Sequence, residues 1–307
     1  MAAEWTAAEL AEIDISPGRR ASWRLPGWLV RTARRPHGVF GLVVVAAVLI
    51  AAAVSLVWTP HPLLAADSSH TWAPPSWTHP LGTDQIGRDT ASWLLAGART
   101  TVLVAAGATA IAALVGLALG TLTASLRPRF AEPLVVLVDI LVAFPVLLIA
   151  MLLATPFGGS IGVVVVAVGI GYGVNLARVV RSEIVRVNAS DYILAARAAG
   201  TGLLRRLWLH VLPNVVPVLV VQLSLTAGVA ILAESGLTFL GYGAAPAEPS
   251  WGRVLADAQK YIGVAPLSVV WPGVAIGVTV LALNLLGDAV AEALDPRLRS
   301  QEARDGA

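Results

Sequence analysis

The 307-residue sequence contains no cysteine, which excludes a disulfide framework and any thiolate metal site and leaves the redox compartment unread. Charge is scarce as well: 13% of the residues are charged and 57% apolar. Soluble domains carry about 25% charged residues, so this composition belongs in a bilayer. Lysine occurs once, as Lys260 between Gln259 and Tyr261. A phosphate-cradling loop needs Gly-x4-Gly-Lys-Ser/Thr, so the chain cannot hold ATP in that way. No convergent nucleophile, acid-base pair or metal cluster is evident, so no catalytic residue and no metal ligand is assigned. Internal repeats and chains of acids or histidines inside apolar runs are also missing, which counts against a secondary transporter, the alternative of another class.

What is present is a set of long apolar runs. The first covers residues 38–58; at about 1.5 Å per residue it spans the ~30 Å of hydrocarbon in a bilayer, too long for a signal peptide. Further runs cover 100–124, 133–154, 160–177, 211–233 and 267–287, giving six predicted transmembrane helices in an all-α membrane protein. Residues 1–37 read as a cytoplasmic tail, 59–96 as an external segment, 97–289 as the transmembrane core and 290–307 as a second cytoplasmic tail. Twenty of the 21 basic residues are Arg. Arg127, Arg129, those from Arg178 to Arg206, and those of the two tails fall on one side. Arg88, Arg99, Arg253 and Lys260 fall on the other, so the positive-inside rule predicts both termini in the cytoplasm. Such clustering speaks of membrane orientation and contact with lipid, not of nucleic acid.

Within the spans, Ala112, Gly116 and Gly120 form a ladder of small residues, and Gly169, Gly171 and Gly173 thin a later helix, both suited to close packing within the chain or against a partner. Pro145, Pro213, Pro217 and Pro272 predict bent helices around a pathway. Asp139, a carboxylate costing up to ~3 kcal/mol at mid-membrane unless paired, is expected to make a structural polar contact. Together with Phe144, Pro145 and Glu234 it is a candidate for the pathway or its gate. Glu234 is placed at the outer end of the fifth span, near water. Outside, His61, His70 and His79 recur every nine residues, an interval that matches no compact ligand motif, and they read as solvated. Trp58, Trp72, Trp77 and Trp93 read as an interfacial belt.

The longest charged island within the apolar chain is residues 188–214. Asn188, Ser190 and Asp191 offer oxygens to a helix N-terminus, and Gly200 ends that helix. Tyr192, Ala195, Ala196 and Ala199 share one face, an aromatic knob followed by small side chains that a partner can approach closely. Leu203 to Leu212 then predict an interfacial helix running up to Pro213.

Ala195, Ala196, Gly200, Leu212 and Pro213 resemble the Glu-Ala-Ala, Gly, Leu-Pro motif of ABC importer permeases, with Leu194 in place of the Glu and His210 before Leu-Pro as in the dipeptide and oligopeptide branch. Four further blocks are similar to dipeptide, oligopeptide and nickel importer permeases. They are His79-Pro80-Leu81-Gly82-Thr83-Asp84 with Gly87-Arg88-Asp89 and Gly97-Ala98-Arg99, then Ala143-Phe144-Pro145, then Glu234 to Gly241 with Pro249-Ser250-Trp251-Gly252, and Asn284 to Asp288 with Leu294 to Leu298. The resemblance covers about residues 79–299. It implies the type I ABC importer permease fold in a bacterial cell membrane, with a cytoplasmic coupling helix between spans 4 and 5. Asp191, Tyr192, Ala195, Ala196, Ala199, Gly200, Leu212 and Pro213 would meet the ATPase. It implies a second homologous permease subunit, two ATPase subunits that carry ATP and Mg, and an extracytoplasmic substrate-binding protein, with no cofactor on this chain. The implied cargo is a short peptide, with nickel or a metal chelate, glutathione or haem as alternatives.

Overall fold

A computed structural model describes residues 27–294. The tails 1–26 and 295–307, with their arginines and the end of the last motif block, lie outside the described residues. Among the described residues the structure is helical, without sheet strands. A short helix α1 (Gly27–Thr32) leads into α2 (Pro36–Ser55), whose proline occupies the first turn, where no N-H is needed. α3 (Thr90–Ser125) starts where the Asp89 carboxylate accepts from the Ser92 N-H at 2.8 Å. α6 (Ile161–Asn188) is capped by Ser160, and α9 (Leu212–Phe239) and α11 (Leu267–Leu294) are the other long elements. Between them lie α4 (Pro128–Val142), α5 (Val146–Phe157), α7 (Asp191–Ala198), α8 (Leu203–Arg206) and α10 (Trp251–Ala258).

Among the described residues five helices are long and apolar enough to cross a membrane, and α4 with α5, bent by 81°, passes the same test as a pair, which makes six when the pair is counted as one span. The run 133–154, expected as one span, is therefore broken. Pro145 has no N-H to extend the helix and drives Phe144 out of helical conformation. Pro217 and Pro272 lie inside α9 and α11, which run through them as helix. α3 and α6 run well beyond the expected 100–124 and 160–177. Their added turns are polar enough to escape a hydropathy reading and still helical.

Packing fixes the direction of each crossing. Small residues make the α3–α6 contact, the most extensive between helices. A Cβ at Gly116 would lie 2.7 Å from Leu176 Cγ, one at Gly120 2.6 Å from Val180 Cβ, and ones at Gly169 and Gly173 2.7 Å from the Cβ atoms of Ile111 and Val115. Partner numbers rise together, so α3 and α6 are parallel, and α4 with α5 must return the chain across the membrane between them. The small-residue ladder thus serves intrachain packing, where close backbone approach supplies the dispersion contacts that lipid cannot. By the same reasoning α11 is antiparallel to α9, with Gly228 against Val280 and Gly287 against Ser224, and antiparallel to α2, with Gly41 against Leu286 and Gly38 against Ala289. The start of α2 and the end of α11 therefore share one face of the membrane. There the Arg31 guanidinium donates to the Ala293 carbonyl at 2.8 and 3.1 Å, and Arg35 pairs with Glu292.

Candidate functional site

Helix α7 projects from the α6 end that is opposite the 59–96 segment. Ile193, fully buried with Ile184, Val187, Val211 and Val215, anchors it; burying such a side chain contributes about 1.5–3 kcal/mol. Tyr192, Leu194, Ala195 and Ala199 are exposed and Ala196 is half-buried. The expected approachable face is thus open within this chain. The anchor was missed in the sequence, where one Ile among alanines gives no periodic signal. Gly200 has φ +77, and the Thr201 N-H returns to the Ala196 carbonyl at 3.0 Å, closing the helix with a left-handed glycine.

Two expectations fail here. Asn188 ends α6 instead of capping α7, and the Ser190 hydroxyl donates back to the Val187 carbonyl at 2.5 Å. Pro213 does not stop a helix. Leu207–Val211 form a π-helical turn in which the Leu212 N-H reaches the Leu207 carbonyl, and the chain runs on into α9 with Pro213 in its first turn. The wider turn accommodates a residue that has no N-H to give.

Between α6 and α9 lies an open groove of about 600 Å³ lined by Tyr172, Asn175, Arg178, Ser182, Gln222 and Thr226, among others. Polar side chains at this depth of two spans are costly toward lipid and suit a watered path or a second subunit. Arg178 was assigned to a loop; α6 is longer than its apolar run and carries it on the groove wall. Its guanidinium lies 3.4 Å from the Asp139 carboxylate, both about half exposed. Asp139 thus makes the expected polar contact, beside the groove. Phe144 is exposed at the bend and Pro145 precedes α5. The spacing of Tyr172, Asn175 and Ser182, and of Gln222 and Thr226, was the available signal for this wall.

Glu234 is elsewhere. It is 1% exposed, its carboxylate accepting from Thr238 Oγ at 2.8 Å, while Thr238 Oγ accepts from the Ala244 N-H. It braces the loop that follows α9, so its placement near water is corrected. That loop belongs to a cap made of the motif blocks, on the face of the spans opposite the start of α2. Trp251 donates Nε1-H to the Leu94 carbonyl at 2.8 Å, and a Cβ on Gly97 would come 2.8 Å from its ring. Trp93 is buried here rather than in an interfacial belt; its Nε1-H meets the Leu63 carbonyl and the Arg88 guanidinium lies over its ring. Arg88 also pairs with Asp84 at 2.5 Å.

The histidines divide. His70 pairs with exposed Asp67, whose carboxyl is held down at about 2 by hydrogen bonds from Ser69 and His70. His61 and His79 are not simply solvated: their rings stack at 4.6 Å and both turn Nδ1 toward Asp89. Burial raises the Asp89 pKa, but hydrogen bonds from Ser92 and His79 outweigh it and leave the carboxyl below its ordinary value.

Residues 116–300 match the family described as binding-protein-dependent transport system inner membrane component. The chain belongs to that family. The permease is 35% identical over 277 residues to a putative peptide transport system permease protein of Brucella abortus, covering 89% of this chain and 93% of the relative. It is 39% identical over 234 residues to the di/tripeptide transport system permease protein DppC of Pseudomonas aeruginosa, covering 74% and 77%. Among solved structures, an inward-facing form of the MetNI methionine ABC transporter shares the fold at 18% identity with a TM-score of 0.57, over 66% of this chain and 96% of that one. The permease is thus a multi-pass membrane subunit with the ABC importer permease fold.

Proposed function

We propose that this permease forms half of the translocation pathway of an ATP-driven importer of short peptides. It pairs with a homologous permease across the α6–α9 groove, receives substrate from an extracytoplasmic binding protein and is driven by two ATPase subunits. Both termini lie in the cytoplasm, and Asp191, Tyr192, Ala195, Ala196, Ala199 and Gly200 meet the ATPase, followed by Leu212 and Pro213. The observation that carries this reading is that one helix serves both surfaces. α6 bears Tyr172, Asn175, Arg178 and Ser182 on the groove and leads directly into α7, whose small-residue face is open. From Ser182 to the end of α6 at Asn188 is six residues, about 9 Å of helix rise, and two residues then join it to α7, so a displacement of α7 reaches the groove through a short path. The chemistry is conformational; this chain binds no nucleotide, and ATP and Mg act on the ATPase subunits.

Peptide cargo is supported by the relatives' names and by the polar lining of the groove, where Arg178 offers a cation for a peptide carboxylate and Asp139, its ion-pair partner, lies beside the groove. Uptake of a labelled dipeptide by the complex reconstituted in vesicles tests it. ATP-dependent uptake, blocked by unlabelled peptide, is expected. Uptake of a metal chelate, glutathione or haem in place of peptide would overturn the assignment.

A further inference from the structure

We propose a second site on this permease, a transition-metal site of the zinc class formed by His61, His79 and Asp89 on the outer cap. Among the described residues, these three offer one ligand atom each within 4.8 Å of one another. In a tetrahedral zinc site with bonds of about 2.0–2.1 Å, neighbouring ligand atoms stand about 3.3 Å apart. His79 Nδ1 lies 3.0 Å from Asp89 Oδ1, near that value, and His61 Nδ1 lies 3.5 Å from the other oxygen, Oδ2, so both rings face the one carboxylate. His61 Nδ1 is itself buried and makes no hydrogen bond. A buried polar atom without a partner costs about 1–3 kcal/mol, and a cation between the two rings and the carboxylate would satisfy it.

The surroundings are built to hold the ligands. Ser92 donates to Asp89 Oδ2 through its N-H at 2.8 Å and its hydroxyl at 2.6 Å, and the same hydroxyl accepts the His61 N-H at 2.9 Å. Trp93 fastens the loop again through the Leu63 carbonyl. His79 is fixed by its own N-H to Ser76 Oγ and by its carbonyl, which accepts from Ser76 and Gly82. Such outer bonds orient ligands and hold affinity. Asp89 is 1% exposed, with His79 at 19% and His61 at 38%, so the pocket opens to solvent past the His61 ring. Two imidazoles and one carboxylate suit Zn²⁺, Ni²⁺ or Cu²⁺ over Mg²⁺ or Ca²⁺, and water completes the shell. Asp89 only accepts, so the hydrogen bond to it puts the ring proton on His79 Nδ1; binding at Nδ1 would move that proton to Nε2, the ring staying neutral in its other tautomer. The bound ion would staple the loop after α2 to the first turn of α3.

The test uses the full-length chain in lipid nanodiscs, free of any polyhistidine tag and stripped with a chelator, titrated with Zn²⁺ against a chromophoric indicator. One Zn²⁺ per chain is expected in the wild type and in His70→Ala, with affinity at least about tenfold weaker in His61→Ala and His79→Ala. His61→Ala keeps the backbone bond to Ser92, so the cap should survive it. Co²⁺ added to the wild type should give the visible bands of a four-coordinate ion, a readout that needs no variant. No stoichiometric Zn²⁺, equal affinity in His61→Ala, or a six-coordinate Co²⁺ spectrum would each overturn the site.

Discussion

Replacing Gly200 by Leu should separate coupling from folding. At φ +77 a side chain is disfavoured by roughly 1 kcal/mol, yet a Cβ built there meets nothing within 4 Å. Within this chain the cost is therefore backbone strain alone. The burial of Ile193, about 1.5–3 kcal/mol, is enough to keep α7 seated. A partner groove closing over Tyr192, Ala195 and Ala199 faces a different term. Forcing a branched side chain into a fitted contact costs about 1–3 kcal/mol, which corresponds to a loss of about 5- to 150-fold in coupling. Gly120→Leu is the counter-case: its Cβ would lie 2.6 Å from Val180 Cβ with the Ala177 carbonyl at 2.9 Å, so the α3–α6 contact itself should fail. The assay measures the level of the chain in the membrane, uptake, and substrate-stimulated ATP hydrolysis in the reconstituted complex. Gly200→Leu should appear at normal level with uptake reduced at least about fivefold per ATP hydrolysed, whereas Gly120→Leu should be lost before any transport is measured. Normal uptake with Leu at 200, or its disappearance from the membrane, would refute the reasoning.

Ile193→Ala should cost about 2–5 kcal/mol of local docking and expose residues 189–202 to limited proteolysis while the spans stay protected. Arg178→Ala should leave thermal stability within about 1 kcal/mol, because the pair with Asp139 is half exposed, but should lower peptide uptake; a large stability loss with unchanged uptake would make the pair structural. Trp251→Ala removes the bond to Leu94 and a buried ring, so the melting transition of the outer cap should fall by the equivalent of about 3–5 kcal/mol. Because the chain lacks cysteine, single Asp67→Cys and Glu248→Cys variants can report orientation: both should react with an impermeant thiol reagent added outside intact cells.

The sequence carried the spans because an apolar run long enough for a bilayer admits few other readings, and it carried the small-residue face of α7 because helical spacing is local. It did not carry what depends on a second element. Glu234 at a span end reads as near water, and only the return of the 240–250 loop through Thr238 makes it buried. His61 and His79 are 18 positions apart with no ligand spacing, and only the docking of their loop on Ser92 brings them onto one carboxylate. The form that each proline irregularity takes also depends on a second element. The missing hydrogen bond is a local fact, but whether a helix breaks depends on whether the neighbouring turn can widen, as at Leu207–Val211, or cannot, as at Phe144.

These irregularities also bear on how the proposed coupling works. α6 is an uninterrupted helix from Ile161 to Asn188, and its buried Leu176, Val180, Ile184 and Val187 form one cluster with Ile193 and with Val211, Val215 and Leu219 of the following segment. Close-packed side chains deform little and shift as a unit, so α6, α7 and the start of α9 have one path by which to follow a moving ATPase. The deviations from regular helix are the α4–α5 bend, outside that unit, and the π-turn before Pro213, whose Val211 packs within it; at both the hydrogen-bond ladder is already interrupted and reorientation disrupts the fewest bonds. The groove wall of Tyr172, Asn175, Arg178 and Ser182 sits inside the rigid part. Its side chains would therefore change what they face without changing their mutual spacing, which is the behaviour required of a pathway that opens to alternate sides while treating many peptides alike.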